Sequence, residues 1–224
     1  MSTRTTLVFV VVLLLASAFA GLLLWNRLPD PMASHWDVND QVNGTLSRFW
    51  GVFLMPLISL GLCALFLLIP AIDPLKANIA KFRGGFNLFI VFMMLFMTYI
   101  YGLTLVWNLG FTRFKMSASL LPAMGLLFIL IGLVIRKARR NYFIGIRTPW
   151  TLSSDKVWDA THRLGGWLFV GSGVLAFLGS FFGGLTAFWF LFAPLLGSAV
   201  FLVIYSYLLY VQDTKSGGEQ NDRS

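Results

Sequence analysis

The sequence predicts an all-α integral membrane protein with six transmembrane helices, both termini in the cytoplasm, and a short interfacial helix in the fourth, cytoplasmic loop. Three observations predict this. Hydrophobic residues fill 58% of the 224 positions and charged residues 12%, where soluble domains carry roughly 25% charge. The 22 Phe and 8 Trp exceed what a globule of 25.1 kDa hides from water with so little polar cover. The charges that do occur are confined to the segments between long apolar stretches.

Those stretches are residues 7–25, 49–69, 86–107, 116–135, 164–182 and 187–210. Each approaches the ~20 residues that cross a hydrocarbon core of about 30 Å. None holds Asp, Glu, Lys, Arg or His in its interior, and none alternates as barrel strands do, so all are expected to be helices. The first follows Arg4 and contains Ala18-Phe19-Ala20, which imitates a signal-peptide cleavage site. Apolar sequence continues through Leu24 to Trp25, so an uncleaved first helix is expected.

Basic residues set the expected orientation. The N-terminus, the second loop, the fourth loop and the C-terminal tail hold 13 Lys and Arg, whereas the first, third and fifth loops hold 4. The positive-inside bias then places both termini in the cytoplasm. The fourth loop alone carries Arg136, Lys137, Arg139, Arg140, Arg147, Lys156 and Arg163. The net charge of +8 is therefore read as an orientation signal, and direct nucleic-acid binding is not expected.

The sequence offers little catalytic chemistry. One cysteine, Cys63, excludes an intrachain disulfide, and no metalloprotease, Walker, dinucleotide-binding or nucleophile-elbow motif occurs. His35 lies in the first loop and His162 in the fourth, on opposite sides, so they cannot share a metal ion. No catalytic residue, cofactor or metal is expected, and spans without ionisable groups show no machinery for proton-coupled transport. Gly179 and Gly183, and likewise Ser180 and Gly184, are four apart, which reads as a helix-packing face. It leaves open whether the partner is the same chain or a second copy in a homo-oligomer.

Two loops stand out. In the first, Pro29 and Pro31 fix extended backbone outside the first span, His35-Trp36 suits the headgroup region, and Asn43-Gly44 signals a turn. Pro29, Pro31, His35 and Trp36 are the candidate outside ligand loop, with a folded-back interfacial cap as the alternative. In the fourth, Thr148-Pro149 enforces extended backbone, and Ser153 or Ser154 can cap a helix starting near Asp155. Arg147, Thr148, Pro149, Trp150, Asp155, Trp158, His162 and Arg163 form a candidate cytoplasmic docking surface. The alternative is a basic helix that satisfies lipid phosphates.

Both loops carry a family resemblance. The Leu28-Pro29 and His35-Trp36 pairs, the Pro56 span and the corner Ile69-Pro70-Ala71-Ile72-Asp73-Pro74 resemble an N-terminal membrane module of unknown function, residues 1–75. Gly145-Ile146-Arg147-Thr148-Pro149-Trp150-Thr151, then Trp158, Thr161-His162-Arg163 and Gly166, resemble the SdpI module, residues 76–224. One departure is Asn39-Asp40, where a Gly-containing turn is expected after the His-Trp pair. The SdpI family resemblance implies a non-enzymatic immunity and signalling protein of the cell membrane. Such a protein protects against a membrane-active toxin peptide and, in the best-known member, holds a cytosolic transcriptional repressor at the membrane. A small-solute or lipid transporter or channel is the alternative.

Overall fold

A computed structural model describes residues 1–221, with side-chain surroundings to Lys215; Arg223, counted above with the basic tail, lies outside the described residues. The chain runs α1 (Thr3–Leu24), a turn of 3-10 helix at Trp25–Arg27, β1 (Met32–Trp36), β2 (Val42–Leu46), α2 (Arg48–Ile72) and α3 (Lys76–Lys81). It continues through α4 (Arg83–Asn108), α5 (Met116–Ile135), α6 (Pro149–Ser153), α7 (Asp155–Gly179) and α8 (Gly184–Asn221). Among the described residues, five helices, α1, α2, α4, α5 and α8, are long and apolar enough to cross a membrane. α7 falls outside that set because glycines and serine dilute its apolar half and its first turns belong to the charged loop.

The surface confirms lipid as the natural solvent for these helices. On α1, Val8, Val12, Leu15, Phe19 and Leu23 all face outward, Leu23 at 69% exposure, while Thr6, Val10, Ser17 and Gly21 turn inward. An aqueous surface would not carry so continuous an apolar stripe. α4 is the axial helix: Phe86, Asn87, Ile90, Met94, Tyr101 and Leu105 are buried along it. It packs against α1, α2 and α5, so the bundle consists of two triads, α1/α2/α4 and α5/α7/α8, joined along the α4–α5 seam.

The second triad is held by glycine. A Cβ on Gly132 would strike the carbonyl of Gly166, and one on Gly125 would strike that of Gly173. The two pairs, each seven residues apart on antiparallel helices, bring the α5 and α7 backbones together, which only residues without side chains permit. The packing face expected at Gly179–Gly184 is present at Gly179 and absent at Gly183 and Gly184. Gly179 meets Phe190 of the same chain, while Gly183 and Gly184 form the α7–α8 turn with positive φ.

Two more corrections concern the loops. The all-α expectation misses a hairpin, β1–β2, in the first loop. Asn43-Gly44 is not its turn but part of β2; Gly44 lies opposite His35, whose Cβ leaves no room for a second one. The chain reverses at Asp37–Gln41, where Asp37 caps Asn39 and Gln41 through Oδ1 and Asp40 adopts φ +63. Asp tolerates that left-handed conformation because its short polar side chain bonds locally, so Asn39-Asp40 serves where glycine was expected. In the fourth loop, the residues from Asp155 onward are not a separate interfacial helix. They are the first turns of α7, and the short helix is Pro149–Ser153 instead.

Helix alternation separates the loops into two ends. The hairpin end holds β1–β2, where the Asn108 side chain both accepts from Ala33 N–H (2.8 Å) and donates to its carbonyl (2.9 Å). Asp40 accepts from Ser117 N–H and Oγ–H, both at 2.7 Å. The other end gathers the N-terminus, α3, the loop after α5, α6 and the start of α7, and it carries most of the basic residues.

Candidate functional site

The basic end is organised by residues 136–163. α5 stops at Ile135, and Asn141, fully buried, pins the following turn: its amide donates to the carbonyls of Arg139 (2.8 Å) and Ile144 (3.0 Å). Its Oδ1 accepts from the N–H groups of Phe143 (2.9 Å) and Ile144 (2.6 Å). Asp73, at the end of α2, accepts from Leu75 N–H (2.6 Å) and Tyr142 N–H (2.9 Å), and Asn78 of α3 donates to the Arg140 carbonyl. The corner after α2 is thus a brace for the loop after α5.

Next comes the clasp between Gly145 and His162. Gly145 sits at φ +112, and the imidazole occupies the place of any side chain there. His162 Nε2 accepts from Ile146 N–H (2.9 Å), and its Nδ1–H donates to the Trp158 carbonyl one helical turn back (2.8 Å). This pattern needs the neutral Nδ1–H tautomer, since a second ring proton would face a donor. Burial agrees, pushing the imidazole down to about 4 despite favourable contacts from the Trp158 carbonyl and Asp159. The ring stacks on Trp158 (3.9 Å between centroids), whose indole N–H donates to the Ala138 carbonyl (2.9 Å).

α6 is built by a reciprocal cap. Thr151 N–H donates to Thr148 Oγ1 (3.2 Å), Thr148 N–H donates to Thr151 Oγ1 (2.9 Å), and Pro149 occupies the first turn, where no N–H is needed. Thr148 Oγ1 also reaches Ser206 of α8 (3.1 Å), and Trp150 packs edge-on against Tyr207. Ser154 caps α7 and donates to Asp213 of α8 (2.8 Å), which pairs with Lys156 (2.9 Å). Two further ion pairs, Arg139–Asp159 (3.1 Å) and Arg140–Asp155 (2.7 Å), tie the loop to α7. Such exposed pairs contribute about 0–1 kcal/mol each; the buried polar contacts matter more, because an orphaned buried group costs roughly 1–3 kcal/mol.

The candidate docking residues therefore divide. Arg147, Pro149, Asp155 and Arg163 are exposed, and Trp150 is half-buried. Thr148 is buried, and Trp158 and His162 are 0% and 1% exposed. Trp158 and His162 are corrected from surface contacts to the interior support of the loop. The Arg147 guanidinium donates to the Tyr142 carbonyl (2.6 Å), so it also closes its own loop. Sequence reasoning missed Asn141 altogether and read Arg140 only as an orientation charge, not as a residue that pairs with Asp155 and donates to the Leu152 carbonyl. Neither lies in a periodic segment, and only three-dimensional closure shows that Asn141 satisfies four backbone groups.

At the hairpin end, His35 and Trp36 line a groove of about 500 Å³ with Val38, Thr104, Phe188 and Phe192. His35 Nδ1 lies 2.5 Å from Asn43 Oδ1, and Trp36 packs edge-on against Trp107. Pro29 and Pro31 are exposed and lie outside the groove. His35 and His162 occupy opposite ends of the bundle, and no group of three or more His, Cys, Asp or Glu among the described residues could hold a metal.

Known proteins resemble this chain in both halves. Residues 137–206, the site just described, match the SdpI/YfhL protein family, and residues 12–60 match a domain of unknown function, DUF1648. The chain is similar to the immunity protein SdpI of Bacillus subtilis (strain 168), with 25% identity over 176 residues, covering 78% of this chain and 81% of that protein. No solved structure matches.

Proposed function

We infer that this chain, a member of the SdpI family, is a multi-pass membrane immunity protein that protects its cell against a membrane-active peptide. The observation that carries the reading is the likeness to an immunity protein along 78% of the chain, joined by family matches over residues 12–60 and 137–206 that take in both loops. The matched 137–206 segment coincides with the loop, clasp and helices that the bundle spends most of its buried polar contacts to hold. The reading assigns the chain no catalysis. It is favoured over coupled transport because the spans lack ionisable side chains in their interiors.

The finer topology belongs to the same proposal. The apolar part of α7, from Leu164 to Gly179, is the core of the sixth span; it packs against α5 and α8, which are themselves long and apolar enough to cross. The basic end faces the cytoplasm, the membrane is the plasma membrane, and the modules divide near residue 75. The hairpin groove with His35 and Trp36 then faces the toxin. Arg147, Pro149, Trp150, Asp155 and Arg163 face the cytosol, where a repressor would be held. Expression in a toxin-sensitive host tests the core of the reading: survival supports immunity, and unchanged killing at verified membrane expression rejects it.

A further inference from the structure

At the basic end the α4–α5 seam opens into a cavity of about 1140 Å³. Lys81, Arg136, Lys137, Arg139 and Arg163 line it, against a single acid, Asp159, which is already paired with Arg139. Among the described residues, the side chains of Lys137 and Arg163 have no hydrogen-bond or ion-pair partner. Arg136 lies over the face of Trp167 (3.9 Å), and its Nε is buried without a hydrogen-bond partner. The opposite wall is apolar: Leu88 of α4 faces Leu130, Leu133 and Val134 of α5.

The apolar wall does not end there. Further along the same seam lies a second groove, of about 260 Å³, between Phe92, Leu95 and Tyr99 of α4 and Ala123, Leu126 and Leu127 of α5. Leu88, Phe92, Leu95 and Tyr99 follow helical spacing, so they form one stripe roughly 16 Å long at 1.5 Å per residue. A concentrated positive cavity at one end and an apolar groove further along the same seam match the shape and charge of one class of molecule.

We propose that the α4–α5 seam is a binding site for an anionic phospholipid, with its phosphate among Arg136, Lys137 and Arg163 and an acyl chain along the Leu88–Tyr99 stripe. Basic recesses between transmembrane helices are suited to acidic headgroups, and guanidinium groups match phosphate oxygens in a bidentate fashion. Trp167, exposed beside Arg136, sits where an aromatic side chain marks the headgroup level. A soluble phosphate would use the cavity but leave the apolar groove unfilled. Because the seam is where the two helical triads meet, a lipid there would bridge them.

The test uses the full chain purified in a mild detergent, with bound lipid read by native mass spectrometry. The probes are phosphatidylglycerol, phosphatidylcholine of the same acyl chains, and glycerol 3-phosphate as competitor. Phosphatidylglycerol is expected to bind at least tenfold better than phosphatidylcholine and to resist a large molar excess of glycerol 3-phosphate. The double variant Arg136→Gln, Arg163→Gln is expected to lose at least tenfold of that preference. Gly84→Glu is the second variant: it places a carboxylate on the cavity wall, where a Cβ meets nothing closer than the Met1 nitrogen at 3.8 Å. It is expected to do the same without disturbing the fold. Equal binding of the two lipids, displacement by glycerol 3-phosphate, or an unchanged preference in folded Gly84→Glu protein would each overturn the site.

Discussion

The imidazole of His162 fills the space that a side chain on Gly145 would need, and the backbone next to Gly145 closes on it through the Ile146 N–H at 2.9 Å. The two residues are 17 positions apart and belong to different elements, so the contact is what fastens the loop after α5 to the first turns of α7. Glycine is required twice over: for φ +112 and for the missing Cβ.

Gly145→Ala should therefore destabilise the protein out of proportion to one methyl group. The backbone strain alone is on the order of 1–3 kcal/mol, and the ring must also move off its two hydrogen bonds. The expected result is a lower melting temperature in detergent and reduced accumulation in the membrane. Gly171→Ala, at a position with no atom within 4 Å of the added carbon, is the matched control and should be nearly silent. Equal melting temperatures for the two variants would remove the clasp from the account.

Acid should open the same clasp. His162 has a folded-state value near 4 against an ordinary 6.5, so between those values the unfolded chain binds a proton that the folded chain does not. Stability is then fully present above pH 6.5 and falls as the pH drops toward 4, by roughly 3 kcal/mol over the interval. The sign follows from the depressed value: the neutral ring is the folded form. Melting temperature measured from pH 7.5 to 4.5 should fall for the wild type, and His162→Asn, less stable throughout, should show a shallower slope. Parallel slopes would assign the acid sensitivity to other groups.

How far this was legible from sequence differs between the two parts of the molecule. Long apolar runs bounded by charge located the membrane helices, since lipid demands a length and a composition that are read directly. The α5–α7 packing was not legible, because Gly125, Gly132, Gly166 and Gly173 acquire meaning only when two distant helices are laid together. Trp158 and His162 stand in the sequence as docking candidates, but their role is inward. On a helix whose outer face is carried by Asp155, Asp159 and Arg163, an indole and a neutral imidazole with backbone partners are cheaper to bury than to expose. The hairpin escaped notice because its residues are short of β-branched side chains and its turn uses Asp40 in place of glycine.

The proposed orientation predicts a labelling pattern. In a Cys63→Ser background, Asn39→Cys on the exposed hairpin turn should react with a membrane-impermeant thiol reagent in intact cells, and Asp159→Cys should react only after the membrane is opened. Both positions are exposed, and losing the Arg139–Asp159 pair costs little because each partner is about half exposed. Labelling at Asp159→Cys in intact cells would invert the basic end and with it the proposed cytosolic surface.

The last prediction separates two uses of the basic loop. Arg147 stands on the exposed side of the loop, away from the α4–α5 seam, whereas Arg163 lines that seam. If a cytosolic partner docks on the loop, Arg147→Ala should lower toxin survival or partner recruitment about tenfold, the equivalent of ~1.4 kcal/mol, while phosphatidylglycerol binding stays unchanged. Arg163→Ala should lower both. Arg147→Lys is informative because the residue also donates to the Tyr142 carbonyl at 2.6 Å. A lysine restores a charge but not the planar fork that reaches a backbone carbonyl and a partner carboxylate together. Rescue by lysine would mean that the surface merely counts charge, as an acidic membrane does; failure of rescue at matched expression would mean that geometry is being read. Insertion should survive every one of these changes, because the remaining basic residues of the loop still set the orientation. Full survival of a host carrying Arg147→Ala together with Arg163→Ala would end the docking reading and leave the loop a structural brace, held from beneath by His162 and Trp158.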